Sequence, residues 1–230
     1  RRPRIDEILA TIVALRQADK TGGGGTTWQQ VGPLYVALAQ LLALPESERA
    51  LDGVTEANLR REFGQKKLIW ADGCWHAPSA VFRGKALFGS SAVFIPDGPE
   101  YSRLLDALDV GKPTMPDCTR WLREIARRRL SPSDADLKGL ADTYRFMSSA
   151  LAGTSPRARR ELRSVPLWTG DEWSAKRPLV YSDDPDLQDS LSAAGIAVWR
   201  PPVPPLTLGE LPRHFGIEVL SCLSVGQADH

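Results

Sequence analysis

Two stretches of this chain follow one plan: LIWADGCWHAPSAVF at residues 68–82 and PLWTGDEWSAKRPLVY at residues 166–181. Each has an apolar pair, a tryptophan, a turn with Gly and Asp, a second tryptophan, and then a proline before a branched and aromatic end. This self-similarity indicates two copies of one supersecondary unit. Because the chain has 7 tryptophans, a chance likeness of two tryptophan-rich hairpins is the alternative.

Both stretches are typical of a β-hairpin. Aromatic and branched residues flank the turn Ala71-Asp72-Gly73, and Pro78 favours an edge position for the end of the stretch. On neighbouring strands, the two tryptophans of a hairpin can pack as a cross-strand pair that covers one sheet face. We therefore expect indoles that are buried for stability and set the core, with the structural signature Trp70, Trp75, Trp168 and Trp173.

The likeness continues downstream of each hairpin. VFIP at residues 93–96 precedes LLDALDVG at 104–111, and VWRP at residues 198–201 precedes GELPRHFGI at 209–217. The sequence therefore predicts an α+β fold in which two small hairpin-containing sheets are related by an internal repeat and are joined and covered by helices. The predicted segments are an N-terminal helical segment (1–64), a first hairpin-helix unit (65–130), connecting helices (131–164) and a second hairpin-helix unit (165–230).

Apolar periodicity and capping signals place the helices. Helices are predicted over residues 5–18, around 31–42, over 55–63 with Gly64 as the C-terminal cap, and over 101–108. Thr114, Pro116 and Asp117 are predicted to open the next helix, and Ser131-Pro132 to cap a long one. Ser155-Pro156 repeats that start signal for a short basic helix.

Composition excludes several classes of protein. The 230 residues are 42% hydrophobic and 25% charged, with a net charge of +1, so a folded chain without a global field toward nucleic acid or membrane is expected. No apolar run approaches the roughly 18 residues of a membrane span. The three cysteines are odd in number and far apart, which favours a reducing compartment and predicts a cytoplasmic location. Because the chain opens at Arg1 and not at Met, a fragment or a processed product is expected.

No catalytic, cofactor or metal motif of known spacing is found, so no catalytic, cofactor-binding or metal-binding residue is assigned. The glycine-rich stretch at residues 21–27 lacks the ending and the preceding strand of a phosphate loop. Cys74 and His76 would share one face of a strand, which keeps open a thiol enzyme or half a metal site. A surface histidine beside a half-buried cysteine is the simpler interpretation. Cys118 and Cys222 are interpreted as small apolar residues.

Arginines cluster in the middle of the chain. On two predicted helices they could form a basic patch that binds phosphate or an acidic partner. This leaves a nucleic-acid-binding module as the alternative function, and ordinary solvated helix faces as the simpler reading. The candidate residues are Arg123, Arg127, Arg128, Arg157, Arg159, Arg160 and Arg163.

The two hairpin stretches, the LLDALDVGKPT stretch and the later FGIEVL together resemble the region that follows the Hsp90-like ATPase domain in large sacsin-type and NO VEIN-type proteins and their bacterial relatives. The likeness spans roughly residues 65–220. It implies a non-catalytic scaffold and coupling module of a larger chaperone-like or defence-like protein, with the nucleotide site outside this chain. The implied partners are other domains of the same protein and a protein client.

Overall fold

The computed structural model describes residues 3–20, 25–45, 55–128, 130–175, 178–204 and 207–220. It divides into two compact units, the first formed by Arg1–Ala86 and Ala92–Lys112, the second by Leu87–Ser91 and Pro113–His230. The predicted segment 1–64 lies in the first unit, and the predicted connecting helices 131–164 lie in the second.

Over its described residues, the first unit has three helices, a hairpin, a parallel strand pair and a short helix. The elements in chain order are α1 (Ile5–Lys20), α2 (Trp28–Leu42), α3 (Glu56–Lys66), β1 (Ile69–Ala71), β2 (Cys74–His76), β3 (Val81–Arg83), β4 (Val93–Ile95) and α4 (Ser102–Ala107). β1 and β2 are antiparallel, with Trp70 opposite Trp75, and β3 and β4 are parallel, with Val81 opposite Val93. A core of buried side chains from α1, α2, α3 and α4 packs beneath the hairpin.

Among its described residues, the second unit also begins with three helices and a hairpin, but it then has two helices between its parallel-paired strands. Its elements are α5 (Met115–Arg127), α6 (Asp134–Ala150), α7 (Pro156–Glu161), β5 (Leu167–Trp168), β6 (Trp173–Ser174), β7 (Val180–Ser182), α8 (Pro185–Ala193), α9 (Leu211–His214) and β8 (Glu218–Leu220). β5 and β6 form the antiparallel hairpin, with Trp168 opposite Trp173. β7 pairs in parallel with β8, and Val180 also forms a parallel bridge to Val198. The predicted α+β class with small hairpin sheets and helices is confirmed.

The two hairpins match in geometry. The indole centroids of Trp70 and Trp75 lie 5.2 Å apart at 59°, and those of Trp168 and Trp173 lie 5.6 Å apart at 57°. In the first hairpin, Asp72 and Gly73 both have positive φ (49° and 75°), as the two-residue turn favoured between twisted strands requires. The cross-strand tryptophan pairs expected from the sequence are therefore present in both copies.

The likeness extends past the hairpins. One residue after the parallel valine pairs, Phe82 packs on Phe94 (5.6 Å between centroids) and Tyr181 packs on Trp199 (5.7 Å). The helix that follows ends alike in both units, because Asp109 and Gly216 both take positive φ (59° and 75°). The next backbone N–H then reaches back to the helix, from Val110 to the Leu105 carbonyl (2.9 Å) and from Ile217 to the Pro212 carbonyl (3.0 Å).

The helices before each hairpin also correspond. α1 buries Ile5, Ile8 and Ile12, and α5 buries Met115, Cys118 and Leu122 at the same spacing. Both helices have an acid in the first turn that accepts the backbone N–H of the residue before the helix, Glu7 from Arg4 and Asp117 from Thr114, each at 3.0 Å. The repeated unit is therefore larger than the hairpin-helix motif that the sequence shows.

Two predicted helix ends are wrong. α3 continues through Gly64 and ends at Lys66, and Lys67, with a φ of 50°, is its left-handed cap. α6 is capped by Ser133 and not by Ser131, because Ser133 exchanges hydrogen bonds with Asp136 in a capping box. The predicted start at Ser155 is confirmed, since the Ser155 hydroxyl accepts the Ala158 N–H (3.3 Å).

The signature tryptophans do not lie at the centre of the cores, contrary to expectation. Trp168 is buried, whereas Trp70, Trp75 and Trp173 are only half-buried. In the second unit the core is centred on the fully buried Trp199, whose ring packs on Tyr144 (5.4 Å) and Phe215 (5.6 Å). Both strands of a two-stranded sheet are edge strands, so an indole on either strand can keep one side toward solvent. The sequence pattern does not show this.

Buried tyrosines should make the fold sensitive to alkaline pH. Burial raises the pKa of Tyr35 and Tyr101 above its ordinary value, and it raises the pKa of Tyr181 to about 12. In the unfolded chain a tyrosine ionises at about pH 10, whereas these tyrosines remain neutral in the folded protein at that pH. Their contribution to the free energy of unfolding is therefore complete below about pH 10 and is lost as the pH rises further. We expect the free energy of unfolding by urea to decrease between about pH 9 and about pH 11, and a flat profile would contradict this.

Candidate functional site

The second unit has a cleft of about 580 Å³ between α5 and the β5–β6 hairpin. Its lining combines charged side chains with the signature tryptophans of this hairpin. The residues that matter for its chemistry are Arg123, Arg127, Leu130, Trp168, Asp171, Glu172 and Trp173. Ligand sites in proteins are typically apolar concavities of this order of size with a few convergent polar groups.

α5 supplies the basic side of the cleft. Arg123 and Arg127 are four residues apart, so they project from the same face of the helix. The other face is buried through Trp121, Leu122 and Ile125, which fixes the rotation of the helix. Arg123 donates to the Ser164 hydroxyl (3.1 Å), while Arg127 is exposed. The guanidinium groups are thus held at the cleft by the amphipathic pattern of α5.

The hairpin turn supplies the acidic side. Asp171 and Glu172 are exposed, and Gly170 with φ of 111° turns the chain before them. Thr169 closes the turn, because its N–H and its hydroxyl both donate to the Glu172 carbonyl at 3.0 Å. The sequence contains these acids within the repeated motif, but the motif alone did not mark them as site residues.

The apolar part of the cleft is formed by the two indoles and by a leucine. Trp168 is 7% exposed, and Trp173 is half-buried with its indole N–H donating to the Leu130 carbonyl (3.2 Å). The Leu130 side chain is 70% exposed. An exposed leucine beside two tryptophans is an apolar contact surface of the kind that marks interaction sites.

In the first unit, the corresponding tryptophan pair has a different hydrogen-bond acceptor. The Trp75 indole N–H donates to the Asp19 carboxylate at the end of α1 (2.6 Å), and Trp70 and Trp75 pack against the helical core. Hydrogen bonds, first from Thr26 and then from the Trp75 indole, lower the pKa of Asp19. Both indoles therefore donate near the C-terminal end of the first helix of their unit, Trp75 to a side-chain carboxylate and Trp173 to a backbone carbonyl.

The seven candidate arginines are not gathered at one surface site. Only Arg123 and Arg127 line the cleft, and Arg163 lies with its aliphatic stem near Gly216. The remaining four contact nearby groups of the second unit, namely Arg128 with Ser91, Arg157 with Glu161, Arg159 with the carbonyls of Leu151 and Ala152, and Arg160 with the Pro156 carbonyl. Most of these arginines thus support local structure.

Cys74 and His76 lie on β2, as predicted, but the described structure has no hydrogen bond between their side chains. Cys74 is exposed, and the His76 Nε2 lies 3.2 Å from the Ala71 carbonyl across the hairpin. Within the described ranges, no group of three His, Cys, Asp or Glu side chains could hold a metal ion.

Burial raises the pKa of the Cys118 thiol to about 12, in keeping with an apolar role. Cys222 and residues 21–24 of the glycine-rich stretch lie outside the described residues.

Thiol labelling should separate the two described cysteines. We expect iodoacetamide to modify Cys74 in the native protein at an ordinary rate and to leave Cys118 unmodified until the protein is unfolded, because the thiolate is the reacting form and Cys118 is buried as a thiol. Peptide mapping by mass spectrometry assigns each site. A rate at Cys74 far above that of glutathione, lowered by His76→Ala, would instead support the thiol enzyme.

Comparison with family models, with curated proteins and with solved structures finds no match for this chain. In the part of the chain that the structure describes, no helix combines the length and the apolar character needed to cross a membrane.

Proposed function

We propose that this chain is a non-catalytic scaffold and coupling module that binds polypeptide, and that it works in the cytoplasm as part of a larger sacsin-like protein with an Hsp90-like ATPase domain. The larger context rests on the sequence resemblance alone. Its partners are other domains of the same protein or a protein client.

The observation that carries the proposal is the cleft beside the second tryptophan hairpin. Tryptophan and arginine are the residue types most enriched at the energetic centres of protein interfaces, and this cleft joins both with the exposed Leu130. The repeated unit adds support, because stacked or tandem units commonly provide extended binding surfaces.

Site-specific photocrosslinking tests the proposal in the protein as its host makes it. Benzoylphenylalanine in place of Leu130 should form a reproducible crosslink to polypeptide, either elsewhere in the same protein or in one recurring client. The matched control places the probe at Lys138, which is exposed on α6 and outside the cleft. Equal crosslinking at both positions, or crosslinks to nucleic acid at Leu130, would contradict the proposal.

Nucleic-acid binding is the second candidate, favoured by the presence of two arginines and two tryptophans in one cleft, since bases stack on indoles and phosphates pair with guanidinium groups. Asp171 and Glu172 in the same cleft repel phosphate, which is why polypeptide is preferred. Fluorescence anisotropy with a labelled single-stranded oligonucleotide decides between them. Tight binding that weakens steeply with salt and is lost in Arg123→Ala/Arg127→Ala would replace the first proposal with this one.

A further inference from the structure

The cleft carries unpaired charges of both signs. Within the described residues, no guanidinium nitrogen of Arg123 or Arg127 lies within 4.0 Å of a carboxylate oxygen of Asp171 or Glu172. Elsewhere in this unit, ion pairs do form, as between Arg145 and Asp142 (3.1 Å) and between Arg200 and Asp189 (2.8 Å). The basic helix side and the acidic turn side of the cleft therefore remain available to a ligand.

From this arrangement we infer that the cleft selects a polypeptide segment with an apolar side chain flanked by one acidic and one basic residue. This inference rests on the proposed function and names the partner class. The apolar side chain packs on Trp168, Trp173 and Leu130, the acidic residue pairs with the arginines of α5, and the basic residue pairs with Asp171 and Glu172. The charges fix the direction of the segment in the cleft, because the reversed orientation brings like charges together at both ends.

A balanced cleft argues against ligands of one sign. A polyanion would meet Asp171 and Glu172, and a polycation would meet Arg123 and Arg127. A purely apolar ligand would leave four charged side chains beside it with reduced access to water, which costs free energy without compensation. A segment with both charges satisfies the two sides and can also pack on the indoles that line the same cleft.

Selection from a random peptide display library against the whole chain tests this inference. Peptides enriched on the wild-type protein should share an apolar residue with an acid on one side and a base on the other. Arg127→Glu should remove the preference for the acid, and Asp171→Lys should remove the preference for the base. The control Lys138→Glu reverses a charge outside the cleft and should leave the enriched pattern unchanged.

Affinities of one enriched peptide complete the test. We expect Arg127→Glu and Asp171→Lys each to weaken binding by about tenfold or more, and Lys138→Glu by less than about twofold, since charge reversal beside a bound ion costs several times the loss of a rim contact. All three residues are exposed, so circular dichroism should show an unchanged fold, and Arg123→Glu provides a second variant on the basic side.

The outcomes distinguish the charge selectivity of the cleft from polypeptide binding itself. If Arg127→Glu and Asp171→Lys enrich peptides with the same charge pattern as the wild-type protein, the cleft does not select by charge. The proposal that it binds polypeptide would then still stand. Enrichment of a sequence found in this chain itself would replace the outside partner with a second copy. A library that yields no enriched peptide would contradict both the inference and the proposed function.

Discussion

Tyr35→Phe should lower the free energy of unfolding by about 2–4 kcal/mol, although it removes a single oxygen atom. The Tyr35 hydroxyl is fully buried, donates to the Leu68 carbonyl (2.6 Å) and accepts the Trp70 N–H (2.8 Å). Without it, two backbone groups at the start of β1 lose their partner inside the protein. Urea unfolding followed by tryptophan fluorescence measures the change.

Tyr101→Phe is the matched control for that prediction. The Tyr101 hydroxyl, in the same unit, makes one hydrogen bond, to the Pro96 carbonyl (2.8 Å), and this bond is partly buried. Its loss should cost about 1 kcal/mol. If Tyr35→Phe and Tyr101→Phe lower the free energy of unfolding by the same amount, the Tyr35 hydroxyl does not stabilise the contact between α2 and the start of β1 as described.

Gly139→Ala and Gly64→Ala should change stability in opposite directions. Both glycines lie inside helices, where alanine is usually favoured by about 1 kcal/mol. A Cβ at Gly139 would lie 2.8 Å from the Gly89 Cα and 3.1 Å from the Phe88 carbonyl carbon, which are backbone atoms that cannot rotate away. A Cβ at Gly64 would meet nothing within 4 Å.

We therefore expect Gly139→Ala to destabilise the protein by about 1–3 kcal/mol and Gly64→Ala to stabilise it by about 0.5–1 kcal/mol. Thermal and urea unfolding of the two variants give the signs directly. Stabilisation by Gly139→Ala would show that α6 does not approach the Phe88–Gly89 backbone as closely as described.

Local chemistry made the hairpins predictable. An Asp-Gly pair between apolar residues takes the positive φ values of a tight turn at little cost in conformational free energy. Residues 71–74 therefore favour the hairpin turn by their local sequence alone. The capping signals were also local, but Ser131 and Ser133 both fit the pattern. Each serine has an acid three residues later, Asp134 after Ser131 and Asp136 after Ser133, so the sequence does not distinguish them, and the structure forms the capping box at Ser133.

The parallel strand pairs were not predictable from the sequence. Strands such as β3 and β4 have three residues each, and their pairing depends on contacts distant in sequence. The same holds for the core, since the position of Trp199 among Tyr144 and Phe215 follows from how α6, α9 and β7 pack and not from a repeat in the sequence.

The candidate site was partly visible. Arg123, Arg127 and the second tryptophan pair could be named from sequence, but the cleft exists only because α5 lies against this hairpin. Arginines that look alike in sequence separate in the structure, since Arg159 holds the carbonyls of Leu151 and Ala152 while Arg127 lines the cleft. Leu130 had no signal of its own, because an isolated apolar residue after a helix predicts nothing.

The acceptor of the Trp173 indole has an evolutionary consequence. In the first unit, the indole contact is encoded by one carboxylate, and any change of Asp19 to an apolar residue abolishes it. In the second unit the acceptor is the main chain of residue 130, which every amino acid supplies. The side chain at residue 130 can thus change among descendants of this protein without loss of the hydrogen bond that holds Trp173.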